Sequence, residues 1–288
     1  MSARRIQYSL AVVLGVILVA MPAAGRSVPA TALAPHRAVY DLSLMSRSSA
    51  SAIVSVRGRM VHEFAGTPCE GYTVSMRWIA QMADSDGDVD VDDIRFASFE
   101  DSHGKSYSFT SVRRMNDTVI EEVTAHAEQG TPARGGQVTL SKPTDETFDL
   151  PAGTVFPTAH LASILGAAMA GEHIAETSVY DVSGDGRKVY QTLAVIGTER
   201  HPDEASTGDG GPAGAKLSGF SAWRVTVSYF EGEGKGDETP AFAQSFDLYA
   251  NGVASELVLD YGDIVIRGVL SDLEFLEAPD CAQEGAPR

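Results

Sequence analysis

The sequence predicts a mainly β protein: a large, strongly curved antiparallel sheet with one amphipathic helix packed on it. Three observations carry this. Apolar residues alternate with polar ones over most of the chain, the period of 2 that gives a strand one buried face. Short stretches of Gly, Asp, Asn and Pro break these runs at regular intervals, as an antiparallel meander requires. One stretch alone, residues 150–174 (LPAGTVFPTAHLASILGAAMAGEHI), has the 3.6-residue period of a helix. A lone amphipathic helix among strands must bury its stripe against a sheet, so it is expected to plug the concave side of a curved one.

The chain opens MSARRIQYSLAVVLGVILVAMPAAG. Arg4 and Arg5 precede an uninterrupted apolar run at residues 10–21, shorter than the roughly 20 residues a spanning helix needs. The pattern predicts a signal peptide over residues 1–25, with small residues that also allow cleavage after Ala32. An uncleaved anchor is the alternative. Residues 33–288 are expected to form one β domain with a C-terminal tail and no membrane-spanning segment.

After a Pro/Ala-rich lead, the first strand is expected over residues 36–45, where Ala38, Tyr40, Leu42 and Leu44 alternate with polar residues. The second covers residues 52–64, with Val54, Val56, Met60 and Phe64 on one side. The third covers residues 72–82, with Tyr72, Val74, Met76 and Trp78 in phase. Further strands are expected at 93–101, 105–114, 118–126, 137–140 and 146–150. In the helix, Leu161, Ile164, Leu165, Ala168 and Met169 form one stripe, Pro157 suits the first turn and Gly171 a left-handed close. The stripe reads as core before it reads as the wall of a ligand site. Residues 177–182 and 188–197 make a hairpin about Ser183-Gly184-Asp185-Gly186. Residues 201–215 are almost devoid of apolar side chains and read as a mobile surface loop. Trp223, Val225, Val227 and Tyr229 alternate along residues 222–231. Strands at 242–250 and 254–261 flank Asn251-Gly252, expected to form a type I′ turn, and the last strand runs over 263–275. The count is thirteen or fourteen strands and one helix.

The formal charge is −17, and losing Arg4 and Arg5 with the leader takes it to −19. Such a chain is repelled by phosphate backbones, which argues against nucleic acid as a partner. Cys69 and Cys281 are the two cysteines, and both follow the leader. In an oxidising compartment such a pair is most simply a disulfide, and the absence of C-x-x-C argues against a redox pair.

No catalytic constellation emerges. Gly219-Phe220-Ser221-Ala222-Trp223 lacks the closing Gly of a nucleophile elbow and precedes a strand. The seven histidines are scattered, and His160 reads as a polar-face or helix-edge residue. The acidic run from Asp84 to Asp93 has its Gly87 fourth instead of sixth and no Glu in the twelfth place, so it reads as a solvated turn and no metal is expected.

Four blocks resemble the EipB family of exported envelope-integrity proteins, long described as a domain of unknown function. They are HRAVYDLSL at 36–44; LPAGTVFPTAHLASILGAAMAGE at 150–172 with VYDVSGDGRKVY at 179–190; WRVTVSYFE at 223–231; and FDLYANGVASELVLDYGDIVIRG at 246–268. Cys69 and Cys281 fit that family's pairing of an early and a C-terminal cysteine. The resemblance implies a periplasmic protein of alphaproteobacterial type with a spiral sheet, or half-barrel, of about fourteen strands similar to those of the LolA and LolB lipoprotein carriers. It implies a role in envelope integrity and resistance to envelope stress, with no known reaction or cofactor. It also suggests a periplasmic tetratricopeptide-repeat protein, or an envelope lipid or lipoprotein, as partner.

Two functions are therefore expected to compete. One is a non-enzymatic protein that maintains the envelope by binding its components. The other is a LolA-like lipid or lipoprotein carrier with an apolar cavity. Tyr72, Trp78, Leu161, Ile164, Leu165, Trp223, Tyr229 and Phe246 would line that cavity or fill a dry core, and the filled core is favoured because buried faces pack closely. An open, apolar pocket of several hundred Å³ would mark the carrier.

Overall fold

The computed structural model describes residues 33–131, 134–181, 184–202, 211–232, 239–278 and 281. Within them fourteen strands form one antiparallel sheet. In chain order they are β1 (His36–Arg47), β2 (Ile53–Thr67), β3 (Gly71–Asp84), β4 (Val89–Glu100), β5 (Ser106–Met115), β6 (Thr118–Glu128), β7 (Gln137–Lys142), β8 (Glu146–Asp149), β9 (Ile174–Tyr180), β10 (Val189–Ile196), β11 (Ala222–Glu231), β12 (Phe242–Tyr249), β13 (Ala254–Asp260) and β14 (Ile264–Phe275). The described helices are α1 (Pro157–Met169), between β8 and β9, and α2 (Pro212–Ala215), between β10 and β11. The predicted leader lies outside the described residues. No helix among those described is long and apolar enough to cross a membrane.

The strand order is β8 to β1, then β14 to β9. The chain thus walks outward from β1 to one edge, and the segment containing α1 carries it to the other edge. It then walks back until β14 pairs with β1, His36 opposite Phe275 and Arg47 opposite Ile264. The sheet is not closed into a barrel: β8 and β9 share no ladder. Val155 pairs with the β9 edge alone: its N–H donates to the Ser178 carbonyl (2.8 Å) and its carbonyl accepts from the Tyr180 N–H (3.0 Å). Phe148 of β8 meets Tyr180 of β9 edge-on at 6.2 Å, and Arg187 pairs with Glu146 at 2.6 Å. The β9 edge is thus partly paired by Val155, one form of protection for a strand with unpaired backbone.

Alternation sends one face of every strand inward, and the interior divides into three apolar clusters. Tyr40 and Leu42 pack with Val56, Trp78, Ile266 and Leu270. Ile164, Leu165 and Ala168 of α1 pack with Phe64, Val225, Val227 and Leu248, so the helix does plug the curved sheet. Tyr107, Phe109, Val123 and Leu140 enclose Phe156 and Tyr180. Phe156 supplies no side-chain cap to α1. The free N–H groups of Thr158 and Ala159 donate instead to Oε2 and Oε1 of Glu100, at 2.7 and 2.9 Å. At the other end Gly171 has φ 77° and donates to the Ala168 carbonyl, while the Glu172 N–H donates to Ala167, a Schellman close.

Several expectations need correction. Met169 is 46% exposed and does not join the stripe, because the helix ends there as it leaves the concave surface. His160 is 6% exposed and sits inside, since the helix is covered over more than its apolar stripe. Val54 is exposed because a register shift between Ile53 and Ser55 turns it out of phase with Val56. Asn251-Gly252 is not a type I′ turn, as Gly252 (φ 85°) has a positive φ and Asn251 does not. The Gly252 N–H donates to the Tyr249 carbonyl and the Tyr249 N–H to Val253, the pattern of a three-residue loop with Gly in the left-handed position. Asn251 is buried and its Oδ1 accepts from the Val253 N–H. The polar stretch 201–215 ends in α2, whose Ala213, with Leu217 just beyond, is buried in the first cluster. The pair at i and i+4 anchors a segment that its composition assigns to solvent. The rest of that stretch, 203–210, and Ser183 of the predicted hairpin turn lie outside the described residues.

Candidate functional site

The clusters leave a cavity of about 230 Å³ inside the curve of the sheet. Its walls are His36 and Tyr40 of β1, Met60, His62 and Phe64 of β2, Gln244 and Phe246 of β12, and Ala254 and Leu257 of β13, completed by Leu33, Gly252 and Leu161 of α1. The register explains the assembly. His36 stands opposite Phe64, Ala38 opposite His62 and Tyr40 opposite Met60, so all face inward in one phase. Gly252 lets Leu33 approach: a Cβ there would lie 2.6 Å from Leu33 Cδ2.

The cavity is mainly apolar with four uncharged polar side chains, Tyr40, His36, His62 and Gln244. Tyr40 donates its hydroxyl to the Ala254 carbonyl (2.7 Å) and acts as wall. His36 donates Nδ1–H to the Ala34 carbonyl (2.8 Å), which leaves Nε2 as an acceptor. The rings of His36 and His62 lie 5.8 Å apart. Burial lowers both imidazoles, and the neighbouring His36 adds to the effect on His62, which is held down to about 4. Neither His62 nor Gln244 has a hydrogen-bond partner among the described residues.

Two other buried titratable groups serve the fold. Burial raises the Glu100 carboxyl, against the N–H groups of Thr158 and Ala159 that lower it. His160 Nε2 lies 3.0 Å from Thr192 Oγ1, whose own proton goes to the Thr177 carbonyl (2.7 Å). The imidazole must therefore be the donor, with Nε2 protonated. Burial holds it down to about 4. In the acidic run, Asp84 Oδ1 accepts the N–H groups of Asp86 and Asp88, both at 2.9 Å, and so closes the β3–β4 turn on itself.

The eight side chains expected to line a cavity or fill a core separate. Leu161 and Phe246 border the cavity. Ile164, Leu165, Trp223 and Tyr229 lie in the helix cluster, with Tyr72 packed against it and stacked on Phe64 at 5.1 Å. Trp78 belongs to the first cluster. Sequence reasoning missed His36, His62 and Gln244. The signal was present: His62 is in phase with Met60 and Phe64, and Gln244 with Phe246. Cys69, in the β2–β3 turn, and Cys281, beyond β14, are joined by a disulfide with Cα atoms 5.9 Å apart.

Comparison with known proteins bears on this arrangement. The family model described as EipB-like matches residues 27–277. The chain is 35% identical over 257 residues to the cell envelope integrity protein EipB of Brucella abortus (strain 2308), covering 88% of each. A crystal structure described as a beta-barrel-like protein of domain of unknown function DUF1849 from Brucella abortus superposes with a TM-score of 0.78 at 34% identity. The match covers 86% of this chain and all of that one.

Proposed function

The chain belongs to the EipB-like family, and from that premise we propose that it is a non-enzymatic periplasmic protein that maintains cell-envelope integrity by binding envelope components. The likeness to the Brucella envelope integrity protein along nearly the whole of both chains carries the envelope role. The periplasmic placement rests on the predicted leader and the disulfide. The non-enzymatic reading is supported by the use of buried groups: Glu100 caps a helix and His160 bonds Thr192, so neither is poised for proton transfer to a substrate. As components we propose an envelope lipid or lipoprotein, with a periplasmic tetratricopeptide-repeat protein as a second partner.

The cavity favours a second reading, a LolA-like carrier. At about 230 Å³ it is smaller than the roughly 300–1,000 Å³ of ordinary ligand pockets, so it suits one slender group better than a whole diacyl lipid. A strain lacking the gene is expected to become sensitive to detergent and to recover when the full chain is supplied. Recovery should fail with a chain that lacks residues 1–25. Undiminished resistance of the deletion strain would remove the envelope role.

A further inference from the structure

We infer that the cavity between β1–β2 and β12–β13 binds one medium-length aliphatic chain ending in an uncharged hydrogen-bonding group, such as a hydroxyl or an amide. The inference deepens the envelope-binding reading and rests on it for the ligand's biological role alone.

Protein interiors pack as densely as organic crystals and leave few voids larger than a water molecule. A space of about 230 Å³ between the first two packed clusters departs from that rule. Its walls also include unpartnered polar groups, where a void left merely by poor packing stays apolar and dry. His62 and Gln244 face it with no partner among the described residues, and His36 offers Nε2. His62 and Gln244 are half-buried, and polar groups turned inward by a fold are normally met by protein, water or a ligand.

Chemistry narrows the occupant. Burial keeps both imidazoles neutral at pH 7, so the polar end of the cavity carries no charge to recognise a carboxylate or phosphate. A neutral imidazole and a carboxamide each donate and accept, which matches a hydroxyl or an amide. The remaining walls, Leu33, Met60, Phe64, Leu161, Phe246 and Leu257, suit methylenes. A cavity of roughly 150 Å³ holds one benzene ring, so this one has room for a single medium-length chain.

The test is calorimetric titration of the mature chain, residues 26–288, with 1-alkanols of six to twelve carbons, decanoate and an N-decanoyl dipeptide amide at pH 7.5. Alkanol affinity should rise by about fourfold per methylene and then level off when the cavity is full. Decanoate should bind at least tenfold more weakly than 1-decanol. Tighter binding of the alcohol assigns the site to free chains, and tighter binding of the acylpeptide assigns it to the acyl group of a lipoprotein. His62→Phe with Gln244→Leu should erase the preference over decanoate, and Ala254→Phe should abolish binding by filling the space. Arg59→Gln, on the outer face of β2, should change nothing. Melting curves confirm that each variant folds. No saturable binding of any alkanol or acylpeptide, decanoate bound as tightly as 1-decanol, or full binding by Ala254→Phe overturns the site. Loss of the site with detergent resistance still rescued leaves the envelope role standing, and binding without rescue does the reverse.

Discussion

At the scale of single residues, Glu100 does the least expected work. It is 3% exposed, yet both carboxylate oxygens are occupied by the first free N–H groups of a helix that starts 57 positions later. The partial positive charge of a helix N-terminus makes this a favourable place for a carboxylate. Glu100→Ala leaves the buried Thr158 N–H and the half-buried Ala159 N–H without their cap and is expected to destabilise the protein by roughly 2–4 kcal/mol. Urea unfolding measures this, and a midpoint equal to that of the parent chain would refute the capping role. Nothing local in the sequence marks Glu100, since a strand residue that caps a distant helix has no spacing rule. His62 differs: its phase with Met60 and Phe64 was legible, but not the fact that space remains in front of it.

At the scale of elements, alternation located the strands well because a half-buried strand needs a period of 2 wherever it lies. Departures occurred where one contact overrode pattern: the bulge that turns out Val54, and the loop at Asn251 and Gly252 shaped by burial of Asn251. The disulfide ties two elements at one end of the sheet. His36 lies opposite both Phe64 and Phe275, which brings the β2–β3 turn beside the chain leaving β14. Cys69→Ser or Cys281→Ser should therefore lower the melting temperature and free the tail to proteases without removing the fold. The chain-entropy ceiling for a loop this long is about 5 kcal/mol, and the measured loss is expected to fall below it. Equal melting curves for the oxidised parent and the variants would count against a structural bridge.

At the scale of the whole molecule, buried histidines set the response to acid. The unfolded chain takes up protons on His62 and His160 near the ordinary value of 6.5, while the folded protein resists until about 4. The unfolded state thus binds more protons across that window, and stability falls as pH falls through it. For His160, buried beside Thr192, the loss amounts to about 3 kcal/mol at 1.36 kcal/mol per unit. Glu100 acts in the opposite sense. Its raised carboxyl holds a proton more tightly when folded, so its contribution grows as pH falls through the range just above its ordinary value. Thermal melts from pH 7 to 4 should show a net decline, and His160→Gln should flatten it. An unchanged slope in that variant would show that His160 is not the group responsible.

The sequence by itself determined the β class, the strand positions, the long helix α1 and its role as a plug, because periodicity and turn chemistry are local and each strand carries its own. It also carried the family blocks, which the comparisons bear out over residues 27–277. Only the tertiary structure decided that the two sheet edges meet through side chains, Phe148 against Tyr180, that Glu100 caps α1, and that His36, His62 and Gln244 share one cavity. The reason is physical. Phase tells which side chains point inward, but whether they fill the space they face depends on the curvature of a fourteen-stranded sheet and on what stands across it, which no local pattern encodes.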